Sequence, residues 1–84
     1  SEDVSANTIR VTPHPVVGLI GLTIELEGMY EVALLGMNGE IVQNLGKAIV
    51  GRNEYSTEGL SSGMYILRIS NGKSLRHIPI IIAD

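Results

Sequence analysis

Residues Gly59-Leu60-Ser61-Ser62-Gly63 spell the G-x-S-x-G pattern that presents a nucleophilic serine in some hydrolases. That chemistry needs a sharp strand-to-helix turn, a histidine to take the serine proton and a carboxylate to orient the histidine. After Gly63 comes Met64-Tyr65-Ile66-Leu67-Arg68-Ile69-Ser70, an alternating segment that reads as a strand. The two histidines are His14, set between prolines, and His77, inside another strand-like segment, and nothing in the sequence orients either one by a carboxylate. Ser61 and Ser62 therefore read as residues that cap and bend a turn. No catalytic residue is assigned, and the chain is expected not to be an enzyme. A small hydrolase built on Ser61 is kept as a minor alternative that labelling by a serine-reactive probe would revive.

Other candidate chemistry is equally thin. A metal site takes three or four converging donors, and His14 and His77 have no ligand spacing, so no metal is expected. Glu25 and Glu27 stand two apart on one strand, about 7 Å from each other, a separation that suits paired carboxylates but equally a solvated sheet face. Gly36, Gly39 and Gly46 lack the lysine-serine end and the following helix of a phosphate loop and read as turn glycines. No cofactor is expected. The absence of cysteine removes disulfides, thiolate metal sites and a cysteine nucleophile together.

The elements that would carry these residues are strands. The 84 residues form one domain, 44% hydrophobic but only 4% aromatic, with neither Trp nor Phe, so the core must be built from aliphatic side chains and three tyrosines. Net charge is −3 and no basic stripe is visible, which argues against nucleic acid as a partner. The apolar runs fall short of the roughly 18 residues of a membrane helix.

Residues 1–7, Ser-Glu-Asp-Val-Ser-Ala-Asn, are small, polar and acidic, as in a linker, and the start at Ser1 suggests a piece of a longer protein. Ile9 and Val11 alternate in a short strand that Pro13 and Pro15 should end. Ile20, Leu22, Ile24 and Leu26 share one face of a half-buried strand, and Tyr30, Val32 and Leu34 are in phase in a second strand. Asn38-Gly39 and Asn71-Gly72 are the dipeptides of tight hairpin turns with positive φ. Residues 46–59 are less regular and predict an edge segment or two. Tyr65, Leu67 and Ile69 alternate inward, and a last strand carries Ile78-Pro79-Ile80-Ile81-Ile82. That last run is either a core strand with its proline on a free side or a docking strand. Six or seven short strands joined by glycine turns predict an all-β fold, a small β-sandwich.

In their order and terminal position, the segments "IRVTPHPV", "YEVALLGMNGEIV", "STEGLSSGMYILRISNGKS" and "HIPIII" resemble the C-terminal sorting domain of proteins exported by the type IX secretion system of Bacteroidetes. The resemblance spans residues of about 8 to 82. It places the turn proline at Pro15, the hairpin glycine at Gly39, a glycine-tyrosine pair leading into a strand at Gly63 and Tyr65, the turn lysine at Lys73 and the terminal strand at Ile78 to Ile82. His14 stands where the family usually has Asn, and Ala83-Asp84 close the chain where the family ends rich in lysine.

The resemblance implies an immunoglobulin-like β-sandwich of about seven antiparallel strands over residues 8–84, preceded by the linker 1–7 and an upstream cargo. Its implied function is a non-catalytic signal that directs the cargo across the outer membrane. The implied partners are the translocon and a sortase-like peptidase, with anionic lipopolysaccharide meeting only the cargo. The implied route runs through the periplasm to the outer membrane or cell surface. Recognition is expected at Asn71, Gly72, Lys73, Ile78, Pro79, Ile80, Ile81 and Ile82. Self-association through an edge strand is a further expectation. The competing reading is a retained immunoglobulin-like adhesion, spacer or signalling module, in which loop residues such as Arg52, Asn53 and Glu54 would matter more than the last strand.

Overall fold

The computed structural model describes residues 9–83 and, within them, the side chains of all but Leu26. The expected linker 1–7, Asp84 and the expected inward side chain of Leu26 lie outside the described residues. The chain is all-β, with five strands: β1 (Ile9–Val17), β2 (Leu19–Leu35), β3 (Ile41–Ser56), β4 (Gly63–Ser70) and β5 (Leu75–Ala83). They form one sheet in the order β1-β5-β4-β2-β3, and β1 also pairs with β2, so the sheet nearly closes on itself.

The expected short strands are merged into longer ones. β2 and β3 are continuous, but their pairing jumps from Ile24↔Gly51 to Met29↔Ile49. Gly28 (φ +147°) and Gly51 (φ +104°) sit at this break, where the backbone takes conformations that L side chains rarely adopt. Divided at the break, the strands number seven. The first half of β2 lies between β1 and the end of β3, and the second half between the start of β3 and β4.

Prolines do not end β1 but change its partner. Ile9 to Thr12 pair antiparallel with β2, whereas Val16 and Val17 pair with Ile82 and Ala83 of β5 in parallel. Pro13 and Pro15 lack the N–H that would continue the first ladder. This one parallel pairing makes the sheet mixed rather than wholly antiparallel.

One buried cluster fills the inside of the curled sheet. Ile20, Leu22 and Ile24 come from one half of β2, Val32 and Leu34 from the other, and Leu67, Ile69, Ile80 and Ile82 from the β4–β5 hairpin. Tyr30 is the largest fully buried side chain, and it pairs with Ala48, the single buried residue of β3. A small residue opposite the ring makes room for it.

The turns depart from expectation in a consistent way. No non-glycine residue described has positive φ, so neither Asn38 nor Asn71 adopts the conformation of a two-residue Asn-Gly turn. Gly39 N–H donates to the Gly36 carbonyl (2.9 Å) and Gly39 itself has φ +90°, the pattern of a three-residue loop closed by a glycine bulge. At the second turn the Asn71 carboxamide oxygen accepts from Lys73 N–H (3.0 Å) and Ser74 N–H (2.7 Å), and Asn71 N–H donates to the Ser74 carbonyl (3.1 Å), which leaves Gly72, at φ +87°, and Lys73 at the tip.

Residues 52–54 belong to β3 and not to a loop. The Arg52 guanidinium pairs with Glu54 (2.8 Å) and donates to the Thr12 hydroxyl (2.9 Å). The Asn53 carboxamide donates to the Leu22, Ile49 and Gly51 carbonyls and accepts from Ile49 N–H, stitching the strand across its bend. These polar groups are committed within the fold.

Candidate functional site

The Ser61 pattern does not sit in the strand-to-helix turn of a nucleophile elbow. It lies in the connection between β3 and β4, and the next element is a strand. The Thr57 carbonyl accepts from Leu60 N–H (3.0 Å) with Gly59 at φ +86°, as in a type II turn. The neighbour of the Ser61 hydroxyl is the Tyr65 hydroxyl at 3.4 Å, and the same tyrosine O–H donates to the Ser61 carbonyl at 2.6 Å. Glu25 is engaged by Arg10 (2.6 Å) on an exposed strand. Among the described residues no group of three or more His, Asp and Glu is placed to hold a metal ion.

What the fold does build is the β4–β5 hairpin. Its register runs from Gly63↔Ile82 to Ser70↔Leu75. Residues directly opposite in a sheet point to the same side, so Tyr65, Leu67 and Ile69 face the core with Ile80, Ile78 and Arg76. Met64, Ile66, Arg68 and Ser70 face outward with Ile81, Pro79, His77 and Leu75. The terminal run Ile78 to Ile82 thus divides by parity: Ile80 and Ile82 are buried, Ile78 packs partly on the core, and Pro79 and Ile81 are exposed.

The other expected residues are spread along this hairpin. Gly63 and Tyr65 stand directly across from Ile82 and Ile80, while Pro15 precedes the β1 residues that pair with the end of β5. Asn71, Gly72 and Lys73 lie at the far end, roughly 25 Å from Ile82 at about 3.3 Å per strand residue. Gly39 turns the β2–β3 connection at the Ile82 end, beyond Leu35, whose neighbour on β4 is Ile66. The loop residues and the terminal isoleucines are therefore one continuous hairpin but not one pocket. Beside the loop a shallow groove of about 360 Å³ is lined by Met29, Glu31, Lys47, Ser70, Asn71 and Gly72.

Electrostatics set the hairpin apart. Among the described residues the ion pairs use Arg10, Lys47 and Arg52. Arg68, Lys73 and Arg76 are the remaining Lys and Arg residues of the chain, and all three are in the hairpin. No Asp or Glu occurs from Gly59 to Ala83. Arg76 points toward the core opposite Ile69, and its Nη1 is buried without a hydrogen-bond partner. Residue-by-residue reading missed Leu35, Ile41, Met64 and Ile66 as outward neighbours of Pro79. Two signals mark them: apolar residues at both parities in Leu34-Leu35 and Ile80-Ile81, and the acid-free stretch of the hairpin.

Tyr55, at the edge, packs on the core and donates to the Lys47 carbonyl (3.2 Å); partial burial raises its phenol above the ordinary value of 10.0.

No curated protein sequence matches the chain. The family model described as the secretion system C-terminal sorting domain matches residues 10–83, all but the margins of the described structure. The order of segments read in the sequence, the all-β fold and this match agree, and the chain belongs to the family of type IX secretion C-terminal sorting domains.

Proposed function

We propose that the secretion machinery reads this sorting domain in its folded form on the β4–β5 hairpin, at the Asn71-Gly72-Lys73 turn and the exposed side of the terminal strand. The domain is a type IX sorting signal, and its family is one of non-catalytic signals. In this reading it follows a cargo joined through residues 1–7, passes through the periplasm, engages the translocon and is then removed by a sortase-like peptidase. The cargo, and not the domain, meets anionic lipopolysaccharide at the outer membrane or cell surface. The chain itself needs neither a cofactor nor a catalytic residue.

The observation that supports the hairpin is its unspent chemistry. Arg52, Asn53 and Glu54, on which an adhesion module would rely, are occupied by partners inside the fold. Arg68 and Lys73 of the hairpin have no acidic partner among the described residues. A strand-terminal turn held by the Asn71 carboxamide presents the lysine from a fixed backbone.

Deletion of Ile78 to Asp84 is expected to abolish export, but it also removes Ile80 and Ile82 from the core. Lys73→Glu separates recognition from folding, because Lys73 is exposed. With the chain fused behind a reporter in a type IX host, K73E is expected to lower surface reporter while the domain still folds. Normal surface display of both the deletion and K73E would refute recognition at this hairpin.

A further inference from the structure

We infer that the outward face of the β4–β5 hairpin, extended across β2 and β3, is a docking surface for a partner protein whose own apolar patch is bordered by carboxylates. This rests on the sorting reading above and names the face and the chemistry of what covers it. Cross-strand pairs place Ile41, Leu35, Ile66 and Pro79 in one row over four strands, with Met64 and Ile81 in the row beside it. Ile41 and Met64 are each 53% exposed and Ile81 is 50% exposed, while Leu35 is buried beneath its neighbours. A strand with one solvated face should alternate apolar and polar residues, and one that is apolar at both parities is covered on both faces. β5 is of the second kind from Ile78 to Ile82 and has a core on only one side.

Charge selects the occupant. The next row inward carries Arg68 opposite His77, and the hairpin has no carboxylate of its own from Gly63 to Ala83. An unpaired guanidinium, Arg68, beside an apolar stripe, with Glu31 of the same face already paired to Lys47, suits a partner that supplies carboxylates at the rim, where complementary charge steers the encounter and fixes register. A second copy fits poorly, since a twofold contact through this face brings together two acid-free hairpins, each with its own unpaired Arg68, while Glu31 on the β2 part of the face is already engaged by Lys47. An anionic membrane surface fits poorly too. Such surfaces attract clusters of about four to eight basic residues, whereas the hairpin offers only Arg68, Lys73 and Arg76 and the chain has a net charge of −3.

The test uses the 84-residue chain fused behind a reporter in a type IX host, with Ile81→Glu, Met64→Glu and Arg68→Glu as face variants. Arg68→Lys keeps the charge, and Ile49→Glu is an exposed apolar-to-acid control at the far end of the sheet. Circular dichroism and thermal midpoints of the purified chains establish that each variant folds. The expected result is that I81E, M64E and R68E each lose about tenfold or more of surface reporter, as for anchors central to an interface, while R68K and I49E match the wild type. Export of the folded face variants at the wild-type level overturns the inference and leaves the sorting reading intact. Failure of the wild-type fusion to be exported sinks the sorting reading, and the docking surface with it. Sedimentation of the purified chain as a dimer that I81E dissolves, or its capture by lipopolysaccharide vesicles that R68E abolishes, assigns the face to those occupants and also overturns it.

Discussion

Tyr65 O–H donates to the Ser61 carbonyl at 2.6 Å, tying the start of β4 to the turn before it. The ring packs on the core while the hydroxyl reaches the loop, the corner arrangement known from β-sandwich domains. The serine contributes its backbone carbonyl, and its hydroxyl lies 3.4 Å from the same tyrosine oxygen, so its G-x-S-x-G pattern serves here as a turn tied to the strand that follows.

Tyr65→Phe is expected to cost about 0.5–1.5 kcal/mol, the worth of one such bond. Ser61→Ala keeps the carbonyl and should be close to neutral. Urea titrations of the two variants check this, and a larger loss in S61A than in Y65F would contradict it.

Gly21 is fixed by a close approach. A Cβ there would run into the Thr12 carbonyl and the Arg52 guanidinium that reaches across to the Thr12 hydroxyl. Gly21→Ala must move either β1 or Arg52, and overpacking of this kind costs about 1–3 kcal/mol. Thermal denaturation should show a clear loss, whereas Gly39→Ala would act through its positive φ alone, with open space around it.

Arg76 holds a buried guanidinium nitrogen with no acceptor. Arg76→Met keeps the apolar stem against the core and removes the unsatisfied donor, so stability should rise by about 1–3 kcal/mol. An inward-pointing charge also discourages strand edges from pairing. The same variant should therefore self-associate more readily on sedimentation. A destabilised, monomeric R76M would contradict both parts.

Tyr55 sets an alkaline limit. Its folded phenol stays protonated above the ordinary value because burial disfavours the phenolate. The unfolded chain deprotonates first as pH rises, so this contribution is fully present below about pH 10 and is lost as pH climbs through the folded value. Tyr55→Phe should flatten the fall in stability above about pH 10. At neutral pH it should cost about 0.5–1.5 kcal/mol for the lost bond to the Lys47 carbonyl. Denaturant midpoints across the alkaline range read both effects.

Much of the core was legible because its strands alternate. Ile20, Leu22 and Ile24 and then Tyr30, Val32 and Leu34 read inward and are buried. The continuity of β3 was not legible, because an edge strand with one buried residue, Ala48, has little hydrophobic period to read. Nor was its bend, since the device that holds it is the Asn53 side chain acting on residues two to four positions away and on Leu22 across the sheet. Asn-Gly dipeptides located both hairpins correctly but not their geometry, because asparagine used its carboxamide as an acceptor instead of taking positive φ. At the candidate site, the terminal strand and the turn lysine were read from resemblance. Which isoleucines remain exposed depended on register with β4, a long-range property that one strand's sequence does not contain.

The central claim, that this folded domain is a type IX export signal, is tested most directly by where it sends a reporter. The measurement is the location and size of a periplasmically targeted reporter fused ahead of Ser1, in a Bacteroidetes host with and without a working type IX system. Reporter at the cell surface or outside, shortened by the roughly 9.0 kDa domain and only where the system works, is the predicted result. Reporter held at full length in the periplasm of both strains would contradict it.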